Sequence, residues 1–384
     1  MNPKYRTYIL AVWLTLLASG CEWPFHPDPT PDLFTLNLEL EPGRIVTGMP
    51  VHLSWEEITV EGFQSFRIEH KSTVDSAWIV SATLNDPFRR SYTDTLRDDE
   101  DVTYRVGIQD RDGNVRWAYA DLVVPATRWV RVPEDVDSLQ SAFNLPVLDD
   151  DDTLWVGPGK YKGGFRFAGK QVHILADGTW DDVILDGAQT GRVVTMSAGE
   201  LAGFRIQFGL TQFSTPGGGV YISGNALVRN CLVTNNQADG VGDGVFLTGE
   251  GRLLNCLILD NGSEGVAAST AGGDIVNCTL DRNVVLIGPG CQHLTFRNNI
   301  IVSDVLPFHG INAYVDSVQI DYNFLPDPSL GDHTVSGDPL FMGGGDYHLQ
   351  PTSPCLHAGH PDPAYNNRDG TRNTLGYTGG PFGE

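Results

Sequence analysis

The chain has 384 residues, 41% of them hydrophobic, and a formal net charge of −23 at pH 7. So acidic a surface repels nucleic-acid phosphates and anionic lipid headgroups, which argues against nucleic acid as a partner. Forty-four glycines and 23 prolines point to many short strands and turns, in two domains or one long repetitive one.

Residues 1–20 read as a signal peptide. Lys4 and Arg6 precede "ILAVWLTLLASG", an apolar run too short to span a bilayer stably, which ends in small residues before Cys21. "LASGC" resembles the lipobox of bacterial lipoproteins, with Ala18 where that motif usually carries leucine. The resemblance implies cleavage before Cys21 and acylation of that residue. The alternative is an ordinary secretory signal followed by a cysteine. Residues 21–32, "CEWPFHPDPTPD", read as an extended proline-rich tether. Several acyl chains on one cysteine anchor a protein firmly, whereas one chain does not. The implied location is a bacterial cell envelope, with the chain lipid-anchored and exposed to the periplasm or the exterior.

Residues 33–125 alternate short strands with turns. "VHLSWEEI" places Val51, Leu53 and Trp55 on one face at period two. "VTYRVGIQDRDGNVRWAYADLVV" reads as two strands joined at Asp112-Gly113. With Trp55, Tyr104 and that turn, the segment resembles a fibronectin type III domain, an all-β sandwich that by itself assigns no chemistry. "DRDGN" lacks the further ligands and closing glutamate of a calcium loop and reads as a plain turn.

From residue 126 to 384 the pattern changes. Val136, Leu139 and Phe143 share one face of a short helix, and Asp152, Val156, Pro158, Gly159 and Tyr161 follow among glycine-broken strands. This opening resembles that of right-handed parallel β-helix proteins of the pectin-lyase-like class, in which a small helix covers the first coil. The phrases "VRNCLVTNN", "LLNCLILDN" and "IVNCTLDRN" then repeat. Asn230, Asn255, Asn277 and Asn298 fall in one column. Phe204, Cys231, Cys256, Cys278, Asn299 and Asn323 fall in the next, 27, 25, 22, 21 and 24 residues apart. Such spacings fit a coil climbing one rung per repeat, with rungs about 4.8 Å apart. The asparagines are expected to hydrogen-bond from rung to rung, and the cysteines to be buried packing residues. In-register cysteines are too far apart for disulfides. Pairing of Cys291 with Cys355 stays open. Residues 338–384 resemble the closing segment of bacterial surface β-helix proteins, through Asp338 to Phe341, Tyr347, Ser353, Pro354, Asp369, Gly370, Arg372 and Gly379 to Pro381. Two acidic positions of that segment are Asn367 and Thr374 here, which weakens any tail-bound metal site.

A second ladder of inward residues is expected at Val220 and Ile222, Val245 and Leu247, Val266 and Ala268, Val285 and Ile287, then Ile311 and Ala313. Its outward positions are Tyr221, Phe246, Ala267, Leu286 and Asn312. A row of exposed aromatic and apolar side chains calls for a partner, and sugar rings stack on aromatic faces; Tyr221 and Phe246 are the candidate substrate-binding residues, unless a loop covers them. Enzymes of the resembled class carry their sites on this outer face. Just before the ladder stand Gly218, Asp243, Glu264, Asn283 and His309. If Asp243 and Glu264 point outward on adjacent rungs they form an acid–base pair near 5 Å, or hold calcium, with His309 as proton carrier and Asp239 as a further carboxylate. The alternative is that these polar residues only make turns. The catalytic phrases of pectate lyases, polygalacturonases and pectin methylesterases are not intact. The sequence therefore reads as a surface lipoprotein whose β-helix binds polysaccharide or another extracellular partner without catalysis. The alternatives are a lyase or glycoside hydrolase acting on an acidic glycan, and a structural envelope component. No cofactor is demanded, and calcium is the one candidate.

Overall fold

The structure is a computed structural model. It describes residues 36–39, 50–56, 62–72, 77–95, 102–122, 129–146, 148–269, 272–288, 291–303, 307–309 and 318–383. Residues 1–32, over which a signal segment, Cys21 and a tether are expected, lie outside the described residues, as do Ile311, Asn312 and Ala313. The chain divides into two compact units. Among the described residues no helix is long and apolar enough to cross a membrane.

The smaller unit is antiparallel. Leu36–Glu39, Pro50–Trp55 and Ser91–Thr95 form one sheet, and Ile79–Leu84, Phe63–Ser72, Val102–Asp110 and Val115–Leu122 form another in that order. Val51, Leu53 and Trp55 are buried on one face, as period two requires, and the Trp55 ring lies 5.2 Å from that of Phe66. Asp112-Gly113 makes the hairpin turn. The Asp110 carboxylate accepts the amides of Asp112 and Asn114, and Gly113 takes φ +85°, a conformation that costs glycine little. On the other face the Arg105 guanidinium lies 4.0 Å from both the Trp78 and Trp117 rings and pairs with the buried Glu69.

The larger unit is a stack of coils with three parallel ladders. One has nine strands, from Trp129–Val132 to Val318–Asp321; the second has seven, from Gly159–Lys162 to Ile300–Val302; the third has seven, from Phe165–Phe167 to Phe308–His309. Inward residues at every second position, such as Leu253, Ile258 and Val266, are fully buried in one continuous core. Each burial of this kind stabilises by about 1.5–3 kcal/mol. The helix Leu139–Phe143, capped by Ser138, lays Leu139 and Phe143 over the first coil, with Val136 packed alongside. Covering that end shields strand groups that would otherwise invite pairing with another chain.

The cysteine column is core. Cys231, Cys256 and Cys278 are fully buried, and the Cys256 thiol lies 3.3 Å from the Leu254 carbonyl of its own rung. Burial pushes the Cys231 and Cys256 thiols well above their usual range, which disfavours the nucleophilic thiolate. Cys291 and Cys355 are both free and sit in different apolar clusters, so the bridge left open from sequence does not form.

The asparagine column corrects the expectation of rung-to-rung bonding. Asn230, Asn255, Asn277 and Asn298 all take left-handed φ between 50° and 59°, which asparagine tolerates better than most residues. Three of their side chains donate to the C-terminal tail. Asn277 Nδ2 reaches the carbonyls of Thr374 (2.9 Å) and Gly376, Asn255 Nδ2 those of Tyr377 (2.8 Å) and Gly379, and Asn230 Nδ2 that of Phe382 (2.8 Å). The tail thus crosses the rungs in reverse order and straps them. Asn367, where the resembled segment has an acid, donates to the Arg372 carbonyl and accepts the amides of Thr374 and Gly380. A carboxylate could only accept.

Rung-to-rung amide bonding occurs elsewhere. At the turn between the second and third ladders, Asn236 Nδ2 donates to Asn261 Oδ1 (3.0 Å) and Asn261 Nδ2 to Asn283 Oδ1 (3.2 Å). In the cysteine column, Asn299 Nδ2 donates to Asn323 Oδ1 (3.2 Å). The third ladder also closes differently from the expectation. Val285 pairs with Phe308 and Leu286 with His309, so Phe308 takes the inward place assigned to Ile311 and His309 the outward place assigned to Asn312. The Phe308 ring meets the edge of Phe296 at 5.2 Å, filling a wider part of the core than isoleucine would.

His360 pins the chain upstream of the strap. Its backbone amide donates to Asn298 Oδ1 (2.8 Å), its Nδ1 accepts from the Asp362 amide (3.1 Å), and its ring lies edge-on to Tyr322 and Tyr365. Burial, and then the nearby Arg297 and His333, hold its pKa below the ordinary 6.5, against the opposing pull of Asp321 and Asp362. The unfolded chain therefore takes up this proton first. The contribution is complete above pH 6.5 and is lost as pH falls from there toward the lower folded value. His360→Gln is expected to show a shallower fall in unfolding free energy between about pH 7 and 5 than the parent, measured by urea denaturation. Identical slopes would remove His360 from this role.

Candidate functional site

The outward column of the third ladder runs Arg166, Thr195, Tyr221, Phe246, Ala267, Leu286, His309. Tyr221 and Phe246 stack on neighbouring rungs, with ring centroids 5.3 Å apart. They do not form the open stripe expected from sequence. Phe246 is 8% exposed and Ala267 1%. The incoming loops lie against them at two glycines of left-handed φ. A Cβ on Gly217 would stand 3.1 Å from that of Phe246, and one on Gly242 would stand 3.1 Å from that of Ala267. Tyr221 is half-buried beneath the Arg192 guanidinium, 4.7 Å from its ring, and Arg192 donates to the carbonyls of Gly217 and Pro216. Leu286 is half-buried and His309 exposed.

Asp243 and Glu264 are brought together on adjacent rungs, but the outward projection that an acid–base pair requires is missing at Asp243. It is 5% exposed, with Oδ1 accepting the Ala238 amide (2.7 Å) and Oδ2 the Glu264 amide (2.9 Å). Glu264 Oε2 accepts the Gly242 amide (3.2 Å). Both carboxylates thus bind the loop Ala238–Gly242. His309 stands two rungs beyond Glu264, on the ladder rather than before it. Asn283 belongs to the amide ladder, and Gly218 is buried where a Cβ would strike the Gln237 carbonyl at 2.3 Å. Among the described residues no group of three or more His, Cys, Asp or Glu is placed to hold a metal ion.

An open concavity lies beside this ladder, between two loops. Thr211 donates its amide to the Gln237 carbonyl (3.1 Å) and Asp239 its amide to Thr211 (3.2 Å), extending the stack outward by a short parallel pairing. Leu210, Thr211, Gln212, Phe213, Gln237, Ala238 and Asp239 line a groove of about 410 Å³. Asp239 Oδ2 accepts the Ser214 amide (2.8 Å) and ties one wall to the other. Phe213 is 91% exposed and holds φ +58°. A large aromatic residue in the left-handed region costs about 1–2 kcal/mol, and leaving it exposed forgoes its burial. Strain and exposure at one ring mark a position where stability is not what the residue supplies.

Of the groove residues, only Asp239 stands among the candidates read from sequence. Phe213 has no periodic partner, and it lies in the longest interval of the repeat, the 27 residues between Phe204 and Cys231. An insertion carrying an aromatic residue that belongs to no repeating column, among Thr, Gln, Ser, Pro and Gly, is the signal that could have found it.

The geometry defines a right-handed parallel β-helix, and a family model described as a right handed beta helix region matches residues 185–324. Its solved structural neighbours include pectate lyases. Pectate lyase Pel3 from Pectobacterium carotovorum aligns at 11% identity and a TM-score of 0.20, covering 75% of this chain and 86% of that one. Pectate lyase PelI from Erwinia chrysanthemi, in complex with tetragalacturonic acid, aligns at 10% identity and a TM-score of 0.20, covering 79% of this chain and 82% of that one. A search of curated proteins finds no match to this chain.

Proposed function

We propose that this chain is an envelope lipoprotein, anchored at Cys21, whose β-helix binds an extended polysaccharide in the Phe213 groove without cleaving it. On this reading the fibronectin type III-like unit is a spacer. The observation that carries the binding reading is the exposed, left-handed Phe213 over a groove walled by Gln212, Gln237 and Asp239. An aromatic face with convergent amides and a carboxylate is the chemistry that holds a sugar ring, through stacking and hydrogen bonds to its hydroxyls. The competing reading, cleavage by Asp243 and Glu264 with His309, asks for a carboxylate open to substrate. Asp243 instead spends one oxygen on the Ala238 amide of its own loop and the other on the Glu264 amide of the next rung.

The test is Phe213→Asn in affinity electrophoresis through gels cast with a panel of polysaccharides. Retardation of the parent by one glycan is expected to weaken at least about ten-fold in the variant, a loss of ~1.4 kcal/mol or more. Its unfolding midpoint should stay level or rise, because asparagine accepts left-handed φ and exposes less apolar surface. Equal retardation of the two proteins would sink the groove as the site. Release of unsaturated or reducing ends by the parent protein would overturn the non-catalytic reading. The pair Tyr221→Ala and Phe246→Ala is a poorer probe, since Phe246 is packed beneath a loop.

A further inference from the structure

Resting on the glycan-binding reading of the Phe213 groove, we infer that its ligand is a neutral glycan and that uronate chains are rejected. The side chains exposed along the groove are Gln212, Phe213, Gln237 and Asp239, two amides, one ring and one carboxylate. The amides donate and accept and so match hydroxyl groups, while the Asp239 carboxylate accepts from a sugar hydroxyl and repels a sugar carboxylate. None of the residues lining the groove is a cation. Two cations on neighbouring segments are committed. Arg192 is held by the Gly217 and Pro216 carbonyls and Thr195 Oγ1 over the Tyr221 ring, and Lys160, which lies 5.9 Å from the Phe208 ring, pairs with the buried Asp186. The whole chain carries −23, so the long-range field also opposes a polyanion.

The experiment is calorimetric titration of the full-length protein and its Phe213→Asn variant with hexasaccharides of neutral glucose, xylose and mannose and with hexagalacturonate, at low salt. The expected result is binding of at least one neutral hexasaccharide, hexagalacturonate at least ten-fold weaker, and loss of neutral binding in Phe213→Asn. Hexagalacturonate binding as tightly as the neutral sugars, and lost in Phe213→Asn, would overturn the neutral assignment and leave the groove as a glycan site. Silence across the panel, or binding that survives Phe213→Asn, would overturn the groove reading together with this inference.

Discussion

A chain ending at Gly370 is expected to lose on the order of 5 kcal/mol of β-helix stability relative to the full-length protein. Residues 371–383 are the strap. Removing them strips the carbonyl partners from Asn230, Asn255 and Asn277 and takes away Tyr377, which is 4% exposed and packs with Leu232, Leu257 and Trp180. Burial of such a ring stabilises by about 2 kcal/mol, and each hydrogen bond adds roughly 0.5–1.5 kcal/mol net. The freed asparagines become hydrated, so no further penalty follows from them. Asn255→Ala removes the two bonds to the Tyr377 and Gly379 carbonyls and puts alanine at a left-handed φ, and should cost about 2–4 kcal/mol by itself. Guanidinium unfolding followed by far-ultraviolet circular dichroism reads both. A truncated chain with the parent's midpoint would show that the strap rests on the rungs without holding them.

Asn261→Ala should be more damaging than Asn255→Ala, at about 3–5 kcal/mol. Asn261 is 7% exposed and occupies the middle of the amide ladder. Its Oδ1 accepts both the backbone amide and the Nδ2 of Asn236, at 3.1 and 3.0 Å, and its Nδ2 donates to the Val233 carbonyl and Asn283 Oδ1. Alanine leaves these buried groups without their Asn261 partner, and each unsatisfied group costs roughly 1–3 kcal/mol. Asn261→Asp keeps the acceptor but replaces two donations with a buried charge facing carbonyls, so it should be no milder. The same unfolding measurement decides, and a loss under about 1 kcal/mol would mean that water replaces the ladder.

The coil, its interior and its capping helix are legible because period-two burial repeated on a fixed register leaves a strong trace. Val220, Val245, Val266 and Val285 occupy the inward column expected for them. The next rung departs from expectation because "FHG" and "GINAY" offer similar alternations, and only pairing with Val285 selects Phe308. The asparagine column is legible as a turn, since left-handed φ is a local property of the residue. Its hydrogen-bond partners are not, because Asn255 meets carbonyls 122 and 124 residues downstream. The outward column holds as a register over its first rungs, yet fails as a surface. Whether Phe246 is open depends on where Gly217 lays its loop, a matter of tertiary contact rather than of alternation.

The solenoid follows from the order of residues alone: a repeat of 21 to 27 residues with small or branched inward side chains can bury them only by stacking coil on coil. Three features wait on the folded chain, namely which polar residues hold the stack, which carboxylates are spent on loop amides, and which aromatic ring remains open. Each of them depends on the positions of loops and of a tail distant in sequence. Periodicity records which way a side chain points, whereas exposure and hydrogen bonding depend on what comes to lie against it.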